Sequence, residues 1–187
     1  MSSREKILAS IAQNKPSLLT LPNVPIFEGD GSIERFKTVL ESIGGTTVEV
    51  NSKTDCQAVI DKYYSDLKNV ASTIVKASVE VNLETPKEVL EQIDLAVLQG
   101  EIGVAENGTI WVPESNMLSR ALPFITQHLV LVLDKNTIVA NMHQAYARLE
   151  NAGNYGVFIA GPSKTADIEQ ALVIGAHGAR SMMVIIY

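Results

Sequence analysis

The sequence contains a single cysteine, Cys56, among its 187 residues. One thiol excludes an internal disulfide, and it cannot supply the ligands of an iron–sulfur cluster or of a cysteine-rich zinc site. Cys56 lies on the apolar side of a predicted helix beside Val59 and Ile60. This position indicates a buried core side chain rather than a reactive one.

Runs of basic residues and long apolar runs are also missing. The formal net charge is −6, which argues against nucleic acid as a partner because phosphate neutralisation requires clustered Lys and Arg. No stretch approaches the roughly 20 apolar residues that span a membrane, and Met1 to Lys6 do not begin a signal peptide. We therefore expect a cytoplasmic protein without a membrane span.

Several motifs of well-known enzyme sites are absent. The sequence has no Gly-x-Gly-x-x-Gly, no Walker-type Gly-Lys-Ser/Thr and no Gly-x-Ser-x-Gly, so dinucleotide binding, P-loop chemistry and a nucleophile-elbow hydrolase are disfavoured. It also has no His-x-x-x-His pair and no acidic cluster at ligand spacing. A stable metal site is therefore not expected.

Hydrophobic periodicity predicts alternating strands and helices. Strands are predicted at 46–50, 71–75, 95–98, 109–112, 128–133, 157–159 and 182–187. Helices are predicted at 3–13, 32–43, 54–67 and 86–92, from Asn136 to Leu149, and from Thr165 onward. This alternation is typical of an α/β fold with a three-layer, mostly parallel sheet. We find no repeat or long linker, which predicts one domain over residues 1–187.

Residues 1–31 are predicted to form a helix followed by a proline-rich arm. The segment from Asn14 to Asp30 holds three prolines and little periodicity. Two interpretations remain open: a loop that lies on the surface of the chain, or an arm that docks on a partner.

The most specific segment begins at Gly161. A short apolar strand breaks at Gly161, and a helix is predicted to follow. Backbone N–H groups at such a strand–loop–helix junction can hold an anion, and Lys164 could neutralise it. The candidate binding residues are Gly161, Ser163, Lys164, Thr165 and Asp167. In the alternative interpretation, Thr165 only caps the helix, while Asp167 and Glu169 complement its dipole.

A second candidate segment is the turn at Asn107-Gly108. Glu106 precedes this turn and could act as acid, base or nucleophile; a solvated or turn-stabilising acid is the alternative. Gly108 and Thr109 are further candidates for ligand binding. Ligands of open α/β sheets bind beyond the carboxyl ends of the strands. We therefore expect the Glu106 turn and the Gly161 bend to shape one polar cavity.

His177 and Arg180 occupy a glycine-rich connection before the last strand. This connection is expected at the opposite end of the sheet from the strand carboxyl ends, which favours a structural role for His177. Both residues are retained as possible site residues, and the sequence leaves open whether Arg180 faces a pocket or a helix C-terminus.

The run from Gly161 to Glu169, followed by His177-Gly178 and Arg180, resembles the C-terminal signature of the lactate utilization protein C group of the LUD-domain family. The block from Val104 to Thr109 resembles the Ala-Glu-Thr-Gly-Thr turn of that family. Asn107 replaces its usual threonine, and Ala179 replaces the proline before the final arginine.

The resemblance implies a fold similar to the NagB/RpiA/CoA-transferase-like group and a place in a three-component system that oxidises L-lactate to pyruvate. It also implies that iron–sulfur clusters are carried by partner subunits, and that this chain binds no cofactor by its own motifs. Two functions follow as hypotheses. The first is a non-redox subunit that binds these partners and a small carboxylate or phosphate, with a homo-oligomer possible; the second is a stand-alone enzyme of the CoA-transferase or sugar-phosphate isomerase type that uses Glu106.

Overall fold

The fold was analysed in a computed structural model, which describes residues 2–20, 22, 24–25, 27–149, 153–166, 172–175 and 177–187. The strands are β1 (Thr46–Glu49), β2 (Val70–Ser72), β3 (Leu95–Gln99), β4 (Ile102–Val104), β5 (Thr109–Pro113), β6 (His128–Leu133), β7 (Ile138–Val139), β8 (Gly156–Ile159), β9 (Lys164–Ala166), β10 (Leu172–Ile174) and β11 (Ser181–Ile186). The α-helices are α1 (Ser3–Gln13), α2 (Ile33–Ser42), α3 (Cys56–Tyr63), α4 (Lys87–Leu90), α5 (Leu122–Ile125) and α6 (Met142–Ala147).

A five-stranded parallel sheet forms the centre, in the order β1-β11-β6-β3-β2. Its middle strand, β6, is a continuous apolar run, the pattern expected when both faces of a parallel sheet are covered. Successive side chains of a strand point to opposite faces. Leu129 and Leu131 accordingly join one core cluster, and Val130 and Val132 join another.

Helices cover the central sheet on both faces. On one face α3 packs with Cys56, Val59 and Ile60 against the sheet. On the other face α2 contributes Phe36 and Leu40, together with part of a second sheet. The prediction of a three-layer, mostly parallel α/β fold is confirmed. The predicted burial of Cys56 is also confirmed, and burial raises the pKa of its thiol.

The second sheet has four strands in the order β7-β4-β5-β8. The Asn107-Gly108 turn joins β4 to β5 as an antiparallel hairpin, and β8 lies antiparallel to β5 with Ile159 opposite Ile110. This pairing places the end of β8 beside the Asn107-Gly108 turn. The two candidate segments of the sequence are therefore neighbours in the backbone.

Two predicted helices differ from the structure. The helix predicted from Asn136 is a 3₁₀ turn and the short strand β7, and α6 begins later, where the side chain of Asn141 accepts from Gln144 N. Ile138 and Val139 form β7, which pairs in parallel with β4. The helix predicted from Thr165 begins in strand β9, which pairs antiparallel with β10, and residues 167–171 of that prediction lie outside the described residues. In both places strand pairing outweighs helical periodicity.

The described part of the N-terminal arm docks on the chain near the end of the arm. The Phe27 carbonyl accepts hydrogen bonds from Asn141 Nδ2 and Gln144 Nε2, both at 3.0 Å. Farther out, Leu18 and Leu19 are fully or almost fully exposed, and α1 buries no residue. Among the described residues, no helix is both long and apolar enough to cross a membrane.

Candidate functional site

The Gly161 bend is shaped by close packing against the end of α2. Gly161 has a φ of +67°, a left-handed conformation that favours glycine. A Cβ at this position would lie 2.9 Å from the carbonyl oxygen of Ile43. Gly161 and Pro162 are both buried. The bend is therefore packed tightly against the end of α2.

Backbone hydrogen bonds connect this bend to the loop that carries His177. Ser163 N donates to Ala179 O at 2.9 Å, and Gly175 N donates to Ser163 O at 3.0 Å. Gly178 passes so close to Ser163 that a Cβ on it would lie 3.1 Å from Ser163 Oγ. These contacts bring Ser163 and the His177 loop together.

The two loops border a cavity of about 370 Å³, here called the bend cleft. Gly161, Ser163, Lys164 and His177 all line it, with apolar walls from β8, α5 and β6. Among the described residues that line it there is no carboxylate; Lys164 and His177 are the ionisable groups. The bend cleft lies at the amino ends of β6 and β11, the end of the central sheet at which the His177 connection is expected. The Gly161 bend is the segment that lies elsewhere than predicted. The reason is that β8 belongs to the second sheet, so its carboxyl end does not lie with those of the central strands.

Lys164 makes a contact that the sequence did not suggest. Its ammonium donates a hydrogen bond to the carbonyl of Ile43, the C-cap residue of α2. A cation is favourable at a helix C-terminus, where carbonyl groups lack helical partners. An ammonium has three donors, so two remain for a ligand.

Three other predicted residues are placed differently. Thr165 lies in β9 opposite Val173, and Asp167 lies outside the described residues. Arg180 is exposed and is not among the lining residues of the bend cleft. Its side chain passes over Gly175, and its charge helps to lower the pKa of His128. Arg180 therefore lies outside the described lining of the bend cleft.

Glu106 holds the start of α6. Glu106 N donates to Ala140 O at 3.1 Å, and its Oε1 accepts from Met142 N at 2.8 Å. An acceptor at this position satisfies one of the free N–H groups of the helix. Glu106 thus stabilises the start of α6, while its second carboxylate oxygen makes no hydrogen bond to any described residue.

The carboxylate of Glu106 also lines a second cavity, of about 620 Å³, here called the arm cleft. The docked arm forms one wall, and the start of α6 forms another. Its lining residues are Phe27, Glu28, Gly29, Asp30, Arg35, Glu106, Ala140, Asn141 and His143. The sequence patterns singled out neither Arg35 nor His143. No local motif identifies either residue, because the docked arm creates the concavity.

Gly108 and Thr109 form the turn itself. The Asn107 side chain accepts from Thr109 N at 3.1 Å and from the Thr109 hydroxyl at 2.8 Å. Gly108, with a φ of +69°, is buried against α2, where a Cβ would lie 3.0 Å from Leu40 Cα. Asn107 therefore closes the turn with its own side chain, and neither Gly108 nor Thr109 lines the two clefts.

The expected single cavity is replaced by two. Gly108 and Gly161 both pack against Ile43, so the turn and the bend do meet. However, Glu106 lines the arm cleft and the Gly161 bend lines the bend cleft, and these clefts share none of the described residues. An enzyme that combines Glu106 with the bend as an anion loop would need both to line one cavity. In the described residues they line different ones. Within the part of the chain that the structure describes, no group of three or more His, Cys, Asp or Glu could hold a metal ion.

Comparison with known proteins identifies the family. The LUD domain model matches residues 66–187, a range that includes the Glu106 turn, the bend and the His177 loop. The chain belongs to the LUD domain family. A solved structure of a DUF162 family protein from Deinococcus radiodurans has the same fold, with a TM-score of 0.65 and 17% identity over 82% of this chain and 94% of that one.

Sequence relatives of this LUD domain chain carry the name lactate utilization protein C. The protein from Shouchella clausii is 34% identical over 49% of this chain and 42% of its own length, and that from Bacillus pumilus is 30% identical over 62% and 51%. Lactate utilization protein C 1 of Bacillus mycoides is 22% identical over 95% of this chain and 81% of its own length. The chain thus matches about half the length of its first two relatives.

Proposed function

We propose that this chain is a non-redox subunit of a cytoplasmic system that oxidises L-lactate to pyruvate. Membership of the LUD domain family and the name shared by its relatives support a role in lactate utilization. The single cysteine cannot ligate an iron–sulfur cluster. The electrons would therefore pass through partner subunits that carry such clusters, and this chain would bind those partners.

We further propose that the bend cleft of this subunit binds a small carboxylate or phosphate. The observation that carries this proposal is that Ser163, Lys164 and His177 line one cavity. The half-buried hydroxyl of Ser163 makes no hydrogen bond to any described residue, so it is available as a donor. A hydroxyl, an ammonium and an imidazole are suitable partners for an anion.

Titration calorimetry with L-lactate, pyruvate and inorganic phosphate tests the bend cleft. At least one of these anions should bind, and Lys164→Ala should weaken it at least tenfold, a change of about 1.4 kcal/mol. Because Lys164 also contacts Ile43, His177→Gln provides a second variant without that structural contact. Lys76→Ala changes an exposed lysine outside the cleft and is the matched control.

Two outcomes would contradict the anion site. One is that none of the three anions binds at millimolar concentration. The other is that an anion binds equally well to the wild type, Lys164→Ala and His177→Gln. A result of either kind would remove the ligand from the proposal and leave the partner role to be judged by co-purification.

A further inference from the structure

The two clefts differ in the charges of their lining residues. The bend cleft has one lysine, one histidine and, among its described residues, no carboxylate. The arm cleft has three carboxylates, from Glu28, Asp30 and Glu106, together with Arg35 and His143. A simple anion suits the first lining and is repelled by most of the second. The arm cleft therefore requires a ligand of different chemistry.

Groups of both signs remain available in the arm cleft. The Arg35 guanidinium and the Glu28 carboxylate make no hydrogen bond or ion pair with any residue that the structure describes. Asp30 is already engaged, because its Oδ1 accepts from Ser32 N at 2.9 Å and its charge lies near Arg35. Glu106 uses one oxygen for Met142 N and keeps the other. One guanidinium and two carboxylates can thus receive a ligand in the same concavity.

An aromatic wall completes the arm cleft. The rings of Phe27 and His143 lie 4.5 Å apart with an interplanar angle of 36°. Hydrogen bonds from Asn141 and Gln144 to the Phe27 carbonyl hold the arm in this position, and Asn141 is only 6% exposed. The wall is therefore formed before a ligand arrives, which lowers the cost of binding.

We propose that the arm cleft binds a small amine-bearing carboxylate, that is, a zwitterion of the amino-acid type. The Arg35 guanidinium is suited to a carboxylate by its fork of donors. The free oxygen of Glu106 and the Glu28 carboxylate accept from the ammonium, and the ligand's apolar part lies along Phe27 and His143. The volume of about 620 Å³ is within the range typical of small-molecule sites. This inference does not depend on the proposed role in lactate oxidation.

A matched ligand pair tests the charge requirement. L-phenylalanine and L-phenyllactate share their carboxylate and ring, and they differ in having an ammonium or a hydroxyl. Titration calorimetry is performed on the full chain carrying Lys164→Ala, so that the bend cleft contributes as little as possible. Phenylalanine should bind at least ten times more tightly than phenyllactate.

Single substitutions then locate the site. Glu106→Gln keeps an oxygen that can accept from Met142 N while it removes the charge, and it should weaken phenylalanine at least tenfold. Arg35→Gln should do the same through the carboxylate. Glu80→Gln, at an exposed acid outside both clefts, is the matched control and should change nothing. Melting curves of each variant show that the fold is intact.

Three results would overturn the proposal. Phenylalanine could fail to bind at millimolar concentration, it could bind no better than phenyllactate, or its binding could be unaffected by both Glu106→Gln and Arg35→Gln. Each of these results is distinct from failure of the anion site, which depends on Lys164 and His177 in the other cleft.

Discussion

Gly108 and Gly161 are two glycines at which the chain around the second sheet approaches α2 closely. Both have a positive φ, and at both a Cβ would come within 3.0 Å of the α2 segment, at Leu40 Cα and at Ile43 O. These contacts are with backbone atoms, which cannot move aside as a flexible side chain can. Glycine is therefore required by two independent causes, the left-handed backbone and the lack of space.

Gly108→Ala should destabilise the fold more than Gly153→Ala. Gly153 has a similar φ of +73°, but no atom of the described residues lies within 4 Å of the position that a Cβ would take there, so it is the matched control for backbone strain alone. We expect about 1–2 kcal/mol for Gly153→Ala and a further 1–3 kcal/mol or so for Gly108→Ala from overpacking. Urea unfolding of the two variants measures the difference, and equal costs would contradict the packing argument.

The amino ends of β6 and β11 share a hydrogen-bonded cluster with the end of α3. His128 Nδ1 and Ser181 Oγ are 2.7 Å apart, and the Ser181 side chain also bonds to Tyr64. Burial lowers the pKa of His128, the nearby Arg180 lowers it further, and Asp94 opposes these effects. The folded state therefore favours neutral His128. Through Ser181 and Tyr64, this residue connects β6 and β11 to the end of α3.

This cluster predicts a loss of stability in mild acid. Because the pKa of His128 is lower in the folded state, its contribution is complete above the ordinary value of 6.5 and decreases as pH falls through the folded value. His128→Gln removes the titration but keeps an acceptor for Ser181. Between pH 7 and pH 5 the Tm of the wild type should fall further than that of this variant. Identical pH dependence would show that His128 has no such effect.

At the scale of the whole molecule, the N-terminal helix α1 contributes no residue to the core. The helix α1 is properly capped, since Ser2 and Glu5 form a reciprocal capping box. Even so, Ile7, Leu8 and Ile11 are more than half exposed on it. A helix with an unburied apolar stripe contributes little to the stability of the fold. Partner binding through this region is consistent with the proposed role as a subunit.

Deletion of residues 2–13 should separate stability from partner binding. Because α1 buries no residue, the truncated chain should keep its Tm within about 1–2 °C, corresponding to less than about 0.5 kcal/mol. Affinity purification from the native host should recover iron–sulfur proteins with the full chain and fewer with the truncated one. Recovery of the full chain free of such proteins under gentle conditions would count against the partner role.

Much of the architecture could be predicted because local pattern and tertiary structure agree there. The run from His128 to Leu133 is apolar throughout, and only a strand covered on both faces satisfies that pattern. The burial of Cys56 could be predicted in the same way, because it lies on the apolar side of α3 with Val59 and Ile60. By contrast, Ile138 and Val139 have helical spacing but form a strand, because β4 offers them backbone partners that local periodicity does not reveal.

The sequence alone determined the α/β class, the glycine turns, the apolar central strands and the set of polar residues around Glu106 and Gly161. The tertiary structure decided which of those residues share a cavity. Docking of Phe27 on α6 created the arm cleft and brought Arg35 and His143 to Glu106. The place of β8 in the second sheet brought the Gly161 bend to His177. Such neighbours lie far apart along the chain, and only packing brings them together.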